Sequence, residues 1–355
     1  MSSPFVLILF SFLMPTWSNA YKMVLFVPDM ANSQVIFNAR VAETLAKAGH
    51  DVTMVMITAY DERDSSDVKI MKDVRIHRVN GSCGLSRKQL EEEQQKTMFK
   101  DFSIWDPKLR ARIDKMGTLL TQVCQKVVQN KEFLEWLVAQ QFDLAFSHIY
   151  DVCHIGLIHY AKIPSWIWLN SGGLMDFVAH HVGVPIIPSY VPPSLMESMD
   201  KMNFLERTKS FVGHSVLPAI WKKTFADRET EVFRQEIDPN FPDIVDVAKT
   251  CPLVMVNSNE LYELTRPTLA KVVNIGGIGI QVKDVKPLNK EFQQIADSCD
   301  GLVIFSFGSV TPSHRMPIEW KKAFLEAFSR FPKLNFVLRY EGTDLKDLLP
   351  PNVFL

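Results

Sequence analysis

A chain of 355 residues with 47% apolar and 22% charged residues is long enough for two domains and has the composition of an ordinary folded protein. Its formal net charge of −1 argues against a nucleic-acid partner, whose phosphates select a basic face. The apolar content is also too high for extended disorder. The first element is an apolar core from Phe5 to Met14, broken at Pro15 and followed by Ser18-Asn19-Ala20, with small residues at cleavage-type positions. A membrane-spanning helix needs roughly 20 apolar residues. The shorter run therefore reads as a removed secretory signal over residues 1–20, although no basic residue precedes it.

Lys22 to Val27 follows as an apolar strand, Ser33 to Ala48 as an amphipathic helix closed by Gly49, and Asp51 to Ile57 as a second strand. Val74 to Val79 alternates like a strand, and Pro107 to Gln140 carries helical patterning. Phe142 to Ser147 and Ile163 to Leu169 bracket a helix-like Val152 to Tyr160. This order predicts an α/β fold with a doubly wound parallel sheet. Met175 to Ser198 changes character, because Pro185, Pro188, Pro192 and Pro193 punctuate it, and it reads as a shaped loop or lid. A helical region from Met202 to Glu236 and a strand at Leu253 to Val256 lead to Val272–Ile280. The Gly276-Gly277-Ile278-Gly279 run there reads as a structural turn, since no helix period follows it.

The polar stretch from Gln281 to Asn289 marks the predicted boundary between a first domain, 21–285, and a second, 286–355. Five scattered cysteines lack metal-ligand spacing, so neither a disulfide framework nor a metal site is predicted. The one N-glycosylation sequon is Asn80-Gly81-Ser82.

In the second domain, the unbroken apolar run from Gly301 stops at Ser306-Phe307-Gly308-Ser309, as a buried parallel strand does when it opens onto a phosphate. A helical period at Ile318 to Phe331 and a second apolar run at Asn335 to Arg339 complete a βαβ unit. Small residues Ser306, Gly308 and Ser309 would let backbone N–H groups approach an anion, and Arg339 would supply a guanidinium.

FSFGSV (305–310), FVLRYEG (336–342), NSNELYELTRP (257–267), VVNIGGIG (272–279) and PSYVPPSL (188–195) together resemble the UDP-glycosyltransferases, specifically the animal, nematode-like UDP-glucuronosyltransferase group. The resemblance runs from about Lys22 to the last residue. It implies two Rossmann-like domains of the GT-B type, the second incomplete, since in the family that domain continues into a uridine- and sugar-gripping signature and then a membrane span. It further implies inverting transfer of a glycosyl unit from UDP-glucuronic acid or another UDP-hexose to a small lipophilic acceptor, with no cofactor beyond the UDP-sugar co-substrate, and with the donor lobe incomplete the chain as given is expected to transfer poorly. The expected location is the endoplasmic reticulum lumen or its membrane surface, and the expected protein partners are copies of itself or full-length transferases. The 175–198 segment would line the acceptor pocket.

Such transfer needs a base for the acceptor proton and cationic or N–H groups for the departing diphosphate. In the family the base is a histidine at the start of the first helix, oriented by a carboxylate after a later strand. Here those positions are Gln34, whose amide cannot take a proton, and His148. Two readings stay open. In one, His148 serves as base, with Gln34 hydrogen-bonding it or the acceptor and Asp151 orienting it; in the other, His148 is a packing residue and Asp151 caps the helix from Val152. His154, His159, His180 and His181 are further candidates, whereas His50 reads as structural. Ser306, Gly308, Ser309 and Arg339 are assigned to the diphosphate. A non-catalytic lumenal protein that binds lipophiles or modulates full-length transferases is the alternative. A dinucleotide-dependent oxidoreductase does not fit, because Pro28-Asp29-Met30-Ala31 stands where a Gly-x-Gly-x-x-Gly turn would be.

Overall fold

The computed structural model describes residues 20–61, 68–86, 88–89, 92, 98–100, 106–194, 196–280, 285–308 and 311–355. The signal-type segment up to residue 19 and the predicted phosphate ligand Ser309 lie outside them. β1 (Lys22–Asp29), with six buried residues in succession, is an interior strand of a seven-stranded sheet. Around it stand β2 (Asp51–Thr58), β3 (Arg75–Asn80), β4 (Leu144–Ser147), β5 (Ser165–Asn170), β6 (Leu253–Val256) and β7 (Val272–Asn274), in the order β3-β2-β1-β4-β5-β6-β7. Every pairing is parallel.

A parallel sheet covered on both faces requires apolar side chains at successive positions, and β1 and β2 show how the two faces divide them. Leu25, Val27, Met54 and Met56 pack with Val35 and Val41 of α1 (Asn32–Lys47). Val24, Phe26, Val55 and Ile57 pack on the other face with residues of α2 (Pro107–Gln129), α3 (Lys131–Ala139) and α4 (Cys153–Tyr160). The predicted 276–279 run is a turn: Gly277 and Gly279 have φ of 87° and 72°, and a Cβ on Gly279 would stand 2.9 Å from Arg40 Cβ.

Two sequence expectations are corrected here, and the helical region from Met202 to Glu236 is found as expected. The 175–198 segment is not wholly irregular, because α5 (Asp176–Val182) occupies its first part and ends at Gly183, where φ is 86°. The prolines begin only after that helix. The helical region beyond it is α6 (Phe204–Trp221), a π-helical turn (Lys222–Ala226) and α7 (Asp227–Glu236), followed by α8 (Ile244–Lys249). Cys124 and Cys153 form a disulfide, which cysteine spacing does not reveal because α2 and α4 meet only in the folded core.

Past the 281–289 stretch come α9 (Lys290–Asp297), β8 (Gly301–Phe305), α10 (Ile318–Ser329), β9 (Leu334–Leu338) and β10 (Val353–Phe354). The three strands form a second parallel sheet, ordered β10-β9-β8, around Leu325, Phe336, Leu338, Leu345 and Val353. β8 is parallel as predicted but not buried, since Leu302, Val303 and Ile304 are exposed. Among the described strands it is paired only with β9, so it stands at the edge of its sheet.

Candidate active site

The chain leaves β1 toward β2 on one side and returns to pair β4 on the other, so a crevice opens outside the carboxyl ends of β1 and β4. Gln34, in the first turn of α1, lies at this rim. Its side-chain Nε2 donates to the hydroxyl of Tyr150, in the loop after β4. That hydroxyl is 3.2 Å from Ser171 Oγ, directly after β5. Side-chain hydrogen bonds thus tie together three successive strand ends. Gln34 Oε1 is buried and has no donor among the described residues. Burial raises the Tyr150 phenol pKa, against a lowering contribution from Ser171, so the hydroxyl keeps its proton at neutral pH.

Under this rim lie His148, Asp151 and His154, all buried. His148 Nδ1 accepts the backbone N–H of Tyr150 at 3.1 Å. Its Nε2 stands 3.2 Å from His154 Nε2 and 3.5 Å from Asp151 Oδ2. An accepting Nδ1 fixes the neutral ring as the Nε2–H tautomer, directed at the other two side chains. Burial, and then the neighbouring His154 ring, lower the His148 pKa to about 3 despite Asp151. His154 Nδ1 is 3.1 Å from Asp151 Oδ1.

Asp151 remains ionised: burial pushes its pKa up, but the two imidazoles and the Cys153 N–H outweigh that. Its Oδ1 accepts the Cys153 N–H at 3.1 Å, so the residue also serves the start of α4. Glu229 of α7, fully buried, accepts the Val152 N–H at 2.8 Å. Burial and then the charge of Asp151 push its pKa well above the carboxylate range, which favours its neutral form. The loop after β4 therefore rests on two carboxyls whose pKa values are pushed in opposite directions.

These positions bear on the two readings of His148. Gln34 binds Tyr150 rather than His148, and the His148 ring offers no free lone pair to a substrate in the crevice. His148, Asp151 and His154 have ligand atoms within 4.8 Å of one another, a spacing compatible with a metal. A cation there would need the Nε2 lone pair that this tautomer protonates, so the group fits a hydrogen-bonded set better than a metal centre. The three side chains border a cavity of about 20 Å³, with Met30, Ala59 and Val123. That holds about one water.

The other histidines stand apart from this group. His159 meets Phe241 edge-on, His180 and His181 lie against each other beside Trp221, and His50 Nδ1 accepts the Tyr21 N–H at 3.4 Å. Tyr150, Ser171 and Glu229 were missed by sequence reasoning. A tyrosine between His148 and Asp151 was the one available hint; Glu229 lies 77 residues from Val152 and gives none.

In the second sheet, Ser306 and Arg339 follow the carboxyl ends of adjacent strands. Ser306 Oγ accepts the Gly308 N–H at 3.1 Å, and Gly308 has φ of 79°. The Arg339 N–H donates to Phe305 O at 3.0 Å, which sets Arg339 beside Ser306 in register. Its exposed guanidinium lies 3.8 Å from Glu341, within its own loop.

A parallel sheet ordered 3-2-1-4-5-6-7, a second parallel sheet, and polar groups gathered at the switch point define an α/β protein of the GT-B type. Two of the solved structures that share the fold are the following. The glycotransferase of kitacinnamycin has a TM-score of 0.52 at 12% identity, covering 94% of this chain and 70% of that one. UGT89C1 of Arabidopsis thaliana, complexed with UDP-L-rhamnose, has a TM-score of 0.50 at 11% identity, covering 95% and 70%.

The chain belongs to the UDP-glucoronosyl and UDP-glucosyl transferase family, which it matches over residues 22–354. Similar relatives include two Caenorhabditis elegans proteins assigned by name to the UDP-glucuronosyltransferases. One, ugt-48, is 26% identical over 332 residues, and the other, ugt-50, 28% over 334; each match covers 92% of this chain and 61% of the relative. UDP-glucuronosyltransferase 1A7 of Rattus norvegicus is 26% identical, with 90% and 59% covered. The chain thus spans about three fifths of the length of these relatives.

Proposed function

We propose that this chain binds a UDP-sugar and takes part in inverting transfer of its glycosyl unit to a small lipophilic acceptor. The family match across both sheets carries this reading. Ser306, Gly308, Ser309 and Arg339 are assigned to the diphosphate, where N–H groups and a guanidinium stabilise the departing charge. The acceptor hydroxyl is assigned to the rim, where Gln34 Oε1 lacks a donor and Tyr150 offers a hydroxyl. His148 and Asp151 act as positioning residues that hold the Tyr150 loop. Among the described residues no side chain at the rim is a base matched to neutral pH, so transfer would proceed without the roughly 10²- to 10⁴-fold assistance that a base provides. No metal or other cofactor is required by this scheme.

The Cys124–Cys153 disulfide supports an oxidising compartment, and with it the secretory reading and the endoplasmic reticulum lumen. The proline-rich segment is assigned to the acceptor side, where Pro185, Ile187, Val191 and Pro193 are apolar neighbours of His214 and Leu217. Partnership with a full-length transferase belongs to the same proposal.

Calorimetric titration of UDP into the 355-residue chain and into Arg339→Ala tests the donor assignment. Saturable binding is expected, weakened about tenfold in the variant, the usual loss for one charge-assisted hydrogen bond. Titration without UDP-dependent heat would remove the assignment. Release of UDP from UDP-hexoses in the presence of lipophilic phenols then tests transfer.

A further inference from the structure

The Asn80-Gly81-Ser82 sequon takes no part in the rim of the crevice, and the fold sets it at the surface. Asn80 is the last residue of β3, the outermost strand of the first sheet, which among the described strands pairs only with β2. Side chains alternate along a strand. Val79 is accordingly buried and Asn80 exposed. Asn80 stands opposite Thr58 in register, and the Gly81 N–H donates to Thr58 O at 2.9 Å, so the sequon leaves the sheet at a defined point.

The turn that follows is held by contacts that spare the carboxamide nitrogen. A Cβ on Gly81 would lie 2.8 Å from Val123 Cγ1 and 3.3 Å from Thr58 O, so the middle position has no room for a side chain. Asn80 Oδ1 accepts the Ser82 N–H at 2.9 Å, and Ser82 Oγ donates to Asp61. Among the described residues none accepts a hydrogen bond from Asn80 Nδ2. A polar substituent on that nitrogen would project into water without displacing a packed side chain. The Cys124–Cys153 bridge suits the oxidising compartment in which such substituents are added.

We propose that Asn80 is an N-glycosylation site of this chain. Modification there rests on the secretory reading and is independent of transferase activity. In the reaction, Asn80 Nδ2 bonds to the anomeric carbon of an oligosaccharide carried on a polyprenyl diphosphate. The anomeric C–O bond breaks, the diphosphate leaves with the electron pair, and Nδ2 gives up one proton. The lipid-linked donor and the enzyme that transfers it are supplied by the compartment. Once the chain has folded, a large hydrated group stands beside β3, where it hinders strand addition at the unpaired edge.

The test is translation of the 355-residue chain with endoplasmic reticulum microsomes, using the wild type, Asn80→Gln, Ser82→Ala and Ser82→Thr. Protection from added protease reports entry, and mobility before and after peptide-N-glycosidase reports the glycan. The wild type is expected to be protected and to show one upward mobility step that the glycosidase removes, leaving an aspartate at position 80 in the mass spectrum of the peptide that holds it. The step is expected to vanish in Asn80→Gln and Ser82→Ala and to persist in Ser82→Thr, which keeps the hydroxyl of the sequon. Because the readout is a covalent product, a variant that folds poorly still reports. Protected wild type without the step overturns the proposal and leaves the secretory reading standing, as does a glycosidase-sensitive step that survives Asn80→Gln. Wild type open to the protease overturns the secretory reading and the proposal with it.

Discussion

The backbone N–H of Tyr150 donates to Nδ1 of His148 at 3.1 Å, and this contact decides what the loop after β4 can do. It commits the one lone pair of the neutral imidazole to the backbone and leaves Nε2–H for His154 and Asp151. His148 consequently shapes the loop, and Tyr150 is the residue presented to Gln34 and Ser171 at the rim.

If the chain transfers as proposed, removing the Tyr150 hydroxyl lowers that transfer and leaves the fold intact. Tyr150→Phe is expected to reduce kcat/KM for glycosyl transfer by about tenfold, the worth of one or two hydrogen bonds, with little change in Tm. Unaltered kinetics would remove Tyr150 from the site.

A base at the family's position should raise the rate. Gln34→His places an imidazole at the start of α1, and turnover with a phenolic acceptor is expected to rise at least about tenfold, short of full base assistance because the orienting carboxylate is not present. A variant no faster than wild type would show that the chemical step does not limit turnover.

His148 gives the fold an acid limb. Its folded pKa of about 3 lies below the unfolded value of 6.5, so the unfolded chain binds the extra proton first. Its contribution is complete above pH 6.5 and declines as pH falls toward 3, by up to about 1.4 kcal/mol per pH unit. His148→Gln, which cannot be protonated, is expected to flatten that part of a Tm-versus-pH curve.

Glu229 acts in the opposite direction. Its folded pKa is raised, so its contribution is complete below pH 4.5 and is lost as pH rises through the folded value. Glu229→Gln keeps an acceptor for the Val152 N–H and cannot ionise. The variant is expected to gain in Tm relative to wild type as pH is raised from 5 to 9; a constant difference would mean that Glu229 is not a protonated acid in the fold.

The Cys124–Cys153 bridge closes a loop 29 residues apart in sequence. Chain-entropy reasoning gives it about 3.5 kcal/mol, so Cys124→Ser with Cys153→Ser should lower stability by roughly that amount in chemical denaturation. Reduction of the wild type should reproduce the loss.

Most of the fold was legible in the sequence, because β1, β2 and β5 are covered on both faces and must be written as apolar runs, while α1 and α10 must keep a helical period. Residues 175–198 were read as irregular because four prolines outweighed a seven-residue helix ahead of them. β8 was read as buried because an apolar run looks the same on an edge strand as on an interior one.

The sequence by itself determined the alternation of strands and helices, the strand-to-turn passages ending at Ser306 and Arg339, and the replacement of the family's histidine by Gln34, since each depends on residues near one another along the chain. Only the tertiary structure decided which nitrogen of His148 carries its proton, that Glu229 faces Asp151, that Cys124 meets Cys153, and that Asn80 is exposed at the end of the outermost strand. These depend on contacts between segments distant in sequence, and local pattern holds no information about the partner or the direction of burial until the sheet has brought the segments together.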